Sequence, residues 1–345
     1  MELSCPLPLT ESARVLLGHG SGGRLSADLV RRFFLPRFAN PYLDRLDDQA
    51  VVDVGGQRLA FTTDSFVVRP LFFPGGDIGR LAVNGTINDL AMGGARPRYL
   101  SAGFILEEGL SLDDLATILD SMRAACEEAG VLLVTGDTKV VDKGSADQCF
   151  INTAGIGVVE HSWLLSADQA RPGDRVILSG TIGDHGMAVM SRREGLEFET
   201  EITSDTAPLW DLVATMLEGS SEIRCLRDPT RGGLASTLNE LALASGVGIE
   251  LDEARIPVRP AVYAACELLG LDPLYVANEG KLVAIISEAQ APAIVERMRH
   301  HRLGAGACVI GVVTEHHPKM VIMRTRVGGT RVVDLHSAEI LPRIC

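Results

Sequence analysis

Polar and apolar positions along this chain change period repeatedly, and each change marks an expected element. Leu25, Leu29, Phe33 and Phe34 recur at helical spacing after the glycines that follow His19, so a helix is expected up to Pro36. The runs AVVDV (50–54) and QRLAFTTD (57–64), separated by Gly55-Gly56, read as a hairpin. Residues 77–94 read as a helix with a glycine stop, weakened by Gly85. A strand is expected at 97–106, then a helix at 111–130 with a Ser-x-x-Asp start and a terminal glycine. Strands follow at 131–137 and 149–159.

Residues 161–174 have no clear period and contain Pro-Gly, which places a domain boundary there. The organisation expected is a first domain over 1–165, a second over 166–335 and a flexible tail over 336–345. The second half restarts with a strand at 175–180. Helices near 185–194, 206–219, 231–245 and 290–300 then alternate with strands near 248–252, 281–287 and 307–313. A closing hairpin is expected at 325–335 around Gly328-Gly329. This order indicates an α/β (α+β) protein.

Composition narrows the reading. A length of 345 residues suggests two domains, and 46% hydrophobic content suffices for sizeable cores. The net charge of −13 argues against nucleic acid or an anionic membrane as the main partner. Nucleotide remains open to an acidic chain when magnesium lies between carboxylates and phosphates. Seven scattered cysteines with no C-x-x-C pair argue against a disulfide framework and a zinc site. The first twenty residues lack a basic start followed by an apolar stretch, and no apolar run approaches a bilayer span. A cytoplasmic location is therefore expected.

The aspartates of the first half carry the candidate chemistry. Asp47 and Asp48 begin one strand, Asp64 ends the next, Asp89 lies on a helix, and Asp137 follows VLLVTG. Carboxylates gathered at element ends suit a hard cation bridging to phosphate oxygens, although each would also serve as a cap or turn residue. The turn GHGSGG (18–23) opens a helix, so its backbone amides are placed to cradle phosphate, and no P-loop occurs in the chain. Lys139, in GDTKVV, lies just past a strand end. RDPTRGGL (227–234) is unusually polar for a turn, and Asp228 and Arg231 are placed to face a nucleotide. Glu279 precedes an apolar strand, where it serves either as a partly buried base or as a plain turn residue. His19 and His185, beside glycines, are possible ligands without a spaced partner. Finally, Cys345 ends ten residues, 336–345, that lack a hydrophobic period and reach about 30 Å when extended. It reads either as a thiol on a tether or as an incidental terminal residue.

In this order, GHGSGG, DDQA, TTDS, VNGTINDLAMGGARP, TGDTKV, RDPTRGG and NEGK resemble the ATP-dependent aminoimidazole ribonucleotide synthetase (PurM-like) superfamily. The terminal PRIC resembles its hydrogenase-maturation branch, and the likeness runs from Gly18 to Cys345. That resemblance implies two α/β domains, with first-domain strands forming a barrel shared across a homodimer. It implies that a carbamoyltransferase, HypF, loads a carboxamide onto Cys345. ATP then drives its dehydration to a thiocyanate, and the cyanide passes to iron on a HypC–HypD complex. By the same resemblance, Asp48, Asp64, Asp89 and Asp137 hold magnesium. Gly20, Ser21, Gly22, Gly23, Asp64, Asn84, Asp89, Asp137, Asp228 and Arg231 bind ATP, while Glu279 and Lys139 act in proton removal and charge stabilisation. Two alternatives stand beside it. One is another superfamily enzyme, such as a selenophosphate synthetase, for which Cys5 is the only N-terminal thiol, or a thiamine-monophosphate kinase. The other is a thiol carrier with a regulatory nucleotide site.

Overall fold

The computed structural model describes residues 14–196, 201–336 and 343–345; Cys5 and Pro342, which the sequence singled out, lie outside them. The first helical stretch runs through Pro36 instead of stopping there: α1 (Arg24–Leu29) passes into a π turn (Val30–Phe34) and then α2 (Leu35–Phe38). The ladder widens to a π turn just before Pro36, the Leu35 amide donating to the Val30 carbonyl, and the helix continues past the proline.

Strands β1 (Ala50–Val54) and β2 (Gln57–Phe66) form the expected hairpin, with Gly55 and Gly56 both at positive φ as a two-residue turn requires. A short pair, β3 (Phe72–Phe73) and β4 (Gly76–Asp77), leads into α3 (Ile78–Met92), capped by the Asp77 carboxylate. After β5 (Ala95–Glu107), α4 (Leu112–Ala129) is capped by Ser111 and ends at Gly130 in the left-handed region. Strands β6 (Leu132–Val141) and β7 (Cys149–Val159) complete a sheet of order β1-β2-β7-β5-β6, parallel only between β5 and β6. Its inner face packs on α3 and α4. Across its outer face Phe61, Ile156, Tyr99 and Leu132 lie in register, 48%, 39%, 48% and 64% exposed.

The second sheet has the order β14-β13-β10-β12-β8-β11-β9. Its strands are β8 (Arg175–Leu178), β9 (Ile223–Arg227), β10 (Gly248–Asp252), β11 (Val283–Ile286), β12 (Cys308–Thr314), β13 (Val321–Arg324) and β14 (Thr330–Val333). Five helices accompany it: α5 (Asp184–Glu194), α6 (Trp210–Gly219), α7 (Gly233–Ser245), α8 (Pro260–Leu269) and α9 (Ala291–Arg299). Neither β9 nor α8 was expected from the pattern, because β9 is short and interrupted by charge and α8 is nearly uniform in hydrophobicity. The closing hairpin pairs β13 with β14 and turns at Gly328-Gly329 as expected, its first strand lying at Val321–Arg324, just before the residue where the expected hairpin began.

The halves share packing. Ala91 and Met92 of α3 join a core built largely from α6, α9 and the second sheet, while Val189 and Ala277 join the core beneath α3 and α4. Among the described residues no helix is long and apolar enough to cross a membrane.

Candidate active site

Three carboxylates from distant parts of the chain meet where the halves join. Asp48 precedes β1, Asp89 lies on α3 and Asp228 follows β9; each offers an oxygen within 4.8 Å of the others. Burial drives the carboxyls of Asp48 and Asp89 well above the usual range, reinforced at Asp89 by Asp228, Asp64 and Asp48. At Asp48 the main opposing influence is Arg227, whose Nε lies 2.8 Å from Oδ1. Asp228 is pushed up to about 6, mainly by burial, against a backbone hydrogen bond and Arg227. The Thr62 hydroxyl donates to Asp89 at 2.9 Å. Three crowded carboxylates with so little compensation form a hard, all-oxygen donor set, which fits a divalent cation such as magnesium.

Within one chain this grouping differs from the sequence expectation at Asp228, Asp137 and Asp64. Asp228, expected only to face the nucleotide, belongs with Asp48 and Asp89. Asp137 does not: within the chain it sits exposed on edge strand β6, ion-paired with Lys139. Both line a depression that adjoins the cleft beside the triad through Ser65 and also borders Phe104 and Asn152. Asp64 is near the triad but outside it; burial raises its carboxyl, and Arg231 opposes that shift. Asp47 is structural, accepting from the Ser166 hydroxyl at 2.9 Å and the Ala167 amide at 2.8 Å.

Beside the triad lies a cleft lined by Gly20, Ser21, Ser65, Arg231, Tyr275 and Cys345. The glycine-rich turn reaches it because it carries no Cβ at two contacts. A Cβ on Gly22, at φ +74°, would fall 2.6 Å from the Arg231 carbonyl, and one on Gly23 would fall 2.4 Å from the His336 carbonyl. Asn84 is fully buried on α3, its Nδ2 donating to Thr206 at 3.2 Å while its Oδ1 has no protein partner.

Glu279 is 2% exposed and its Oε1 has no hydrogen-bond partner. The segment around it is pinned by Asn88, which donates to the Glu279 carbonyl at 3.2 Å, and by Asp205, which accepts from the Glu279 amide at 3.1 Å. Burial, then Asp228, Asp64 and Asp205, raise its carboxyl well above the usual range, while Arg231 pulls it down.

The chain terminus is not a free tether at its tip. Ile344 is 3% exposed, inside the core that holds Phe66 and Phe73. The Val67 amide donates to the Cys345 carbonyl and the Arg69 amide to the Arg343 carbonyl, both at 3.1 Å, as an antiparallel strand would be paired. Cys345 is partly buried. Its thiol is pushed up to about 12 by burial, against the attraction of Arg231 and with the repulsion of Glu279, Asp64 and Asp228. His185 is no metal ligand: it is fully buried between Ser204 and the Ile344 carbonyl. His19 caps its own turn, through Leu16. Sequence reasoning missed Arg227, the counter-ion of Asp48; the clustering of charge in RDPTRGG was the available signal.

Residues 46–159 match the N-terminal domain of AIR synthase related proteins, and residues 171–323 match the C-terminal domain. The carbamoyl dehydratase HypE of Cupriavidus necator is 58% identical over 336 residues, covering 97% of this chain and 96% of the relative. A crystal structure of a HypE–HypF complex superposes with a TM-score of 0.85 at 49% identity, covering 89% of this chain and 99% of the other. A HypE structure in complex with ATP gives 0.82 at 49% identity, covering 96% and 100%.

Proposed function

The chain belongs to the HypE carbamoyl dehydratases within the AIR synthase related family, ATP-dependent enzymes of hydrogenase maturation, and on that basis we propose that it dehydrates a carboxamide carried on its own Cys345. The observation that carries this reading is the terminal thiol itself, seated in the cleft with Arg231 and Glu279 as its charged neighbours. A thiamine-monophosphate kinase has no use for a terminal thiol, and a selenophosphate synthetase would use one near the N-terminal glycines.

An amide oxygen is a poor leaving group. ATP supplies the phosphoryl group that lets it depart as phosphate. The carboxamide nitrogen gives up one proton as its oxygen is phosphorylated and a second as phosphate leaves, so the sulfur ends bonded to a nitrile carbon. Glu279 is the group we assign to receive a proton from that nitrogen, because its Oε1 is buried, unpartnered and beside the thiol. Its basicity depends on ionisation, which Arg231 favours and the neighbouring carboxylates oppose. Asp48, Asp89 and Asp228 would hold magnesium, whose charge offsets that opposition and neutralises phosphate oxygens. The turn from Gly20 to Gly23, together with Asp64, Asn84 and Arg231, would bind the nucleotide.

Relatives crystallised with HypF support a carbamoyltransferase as the loading partner, and a HypC–HypD complex is the proposed acceptor of the cyanide. The apolar row Phe61, Ile156, Tyr99 and Leu132 supports a homodimer that buries this sheet face. In that dimer Lys139 and Asp137 would act from the partner's copy of β6. A cytoplasmic location accords with this work.

Intact-mass measurement after incubation with carbamoyltransferase, carbamoyl phosphate and ATP tests the reading. The chain should gain one carboxamide at Cys345 and then lose one water. A chain that is loaded elsewhere, or that loses water without ATP, would refute it.

A further inference from the structure

We propose that His185 is a positioning residue for the dehydration, a latch that holds the terminal peptide so that Cys345 sits in the cleft. This rests on the reading of Cys345 as the carrier thiol. His185 Nε2 lies 2.9 Å from the Ile344 carbonyl, which can only accept, so Nε2 carries the proton. Nδ1 lies 2.8 Å from the Ser204 hydroxyl, and the Ser204 oxygen in turn accepts from the Thr206 amide at 3.1 Å. The hydroxyl proton is thereby directed at Nδ1, which fixes the tautomer that donates to the tail. Burial lowers the ring's pKa, against the pull of Asp205 and of the Ile344 carbonyl, and Phe73 meets the ring edge-on at 5.3 Å between centroids. The imidazole therefore has one orientation and one free donor, and the tail takes it.

The latch grips the backbone rather than the thiol. All three carbonyls of the tip are engaged: Arg343 by the Arg69 amide and Arg193, Ile344 by His185, Cys345 by the Val67 amide. Arg343 is also ion-paired with Asp147. Contacts to peptide groups do not depend on what the sulfur carries, so the same latch admits the free thiol and its carboxamide. Ile344 is the only tip carbonyl held by a side chain that is itself fully buried, so His185 sets the depth of insertion.

The test compares His185→Phe, which keeps the ring volume and removes the donor, with His185→Gln, whose amide nitrogen restores a donor. Alkylation of Cys345, read by peptide mass, should be about tenfold faster in His185→Phe, the worth of one buried hydrogen bond, and near parental in His185→Gln. Dehydration of a preloaded tail should slow in His185→Phe and recover in His185→Gln, while ATP affinity stays parental. Parental alkylation in a folded His185→Phe protein overturns the latch. Should that variant not fold, nitrogen NMR of His185 in the natural protein decides. The ring should be the Nε2–H tautomer, with an Nε2 shift that changes on deletion of residues 343–345; no change overturns the proposal. Failure of the parent to accept a carboxamide at Cys345 would instead refute the carrier reading, so the two failures are distinct.

Discussion

Ile344 offers a graded measure of how strongly the tip is held. Its side chain is 3% exposed, within the core that includes Phe66, Val68 and Val189. Each buried CH₂ is worth about 0.8 kcal/mol. Ile344→Val removes one carbon and should raise the undocked fraction roughly fourfold; Ile344→Ala removes three, about 2.4 kcal/mol or roughly 50-fold. Undocking three terminal residues is a local event, so the melting temperature should stay within about 2 °C of the parent. The assay is the alkylation rate of Cys345 under conditions where the thiol reacts only when undocked, measured beside thermal melting. A stepwise rise from parent to Val to Ala with unchanged melting supports the docked tip. Equal alkylation in all three chains would refute the packing argument, and a large cooperative loss of melting temperature would show that Ile344 belongs to the global core.

Glu279→Gln should retain ATP binding and loading yet slow dehydration by on the order of 10²–10⁴, with the thiocarboxamide accumulating by mass spectrometry; normal conversion would return Glu279 to a structural role. Asp89→Asn and Asp228→Asn should each weaken magnesium-dependent ATP binding in calorimetric titration while leaving Cys345 competent for loading, whereas unchanged affinity in both would count against the triad. Docking of the tip should also depend on pH. The docked thiol is raised to about 12, so docking is fully favoured below the free thiol's value of about 8.5 and is lost as pH rises toward 12. Alkylation in the parent should keep climbing above pH 8.5 where that of Ile344→Ala levels off; identical profiles would contradict the shift.

Much of the fold was legible because its signals are local. Strand β7 runs from Cys149 to Val159 as its alternation indicated, and α4 begins at Ser111 and stops at Gly130 because capping depends on a few adjacent residues. The motifs likewise named Asp48, Asp89, Glu279 and Cys345. What they could not supply was which groups meet. Asp228 reaches Asp48 and Asp89 only because β9 ends against α3, and within one chain Asp137 stands apart from them because β6 forms the edge of the first sheet. His185 looked like a lone histidine among glycines; its partner lies 159 residues away. The tail illustrates the same division. From sequence it had no period and read as a tether, since three residues carry no periodic signal. Its tip is ordered by Val67, Arg69, His185 and Arg193, and hydrogen bonds between remote segments leave no mark on local hydrophobic patterning.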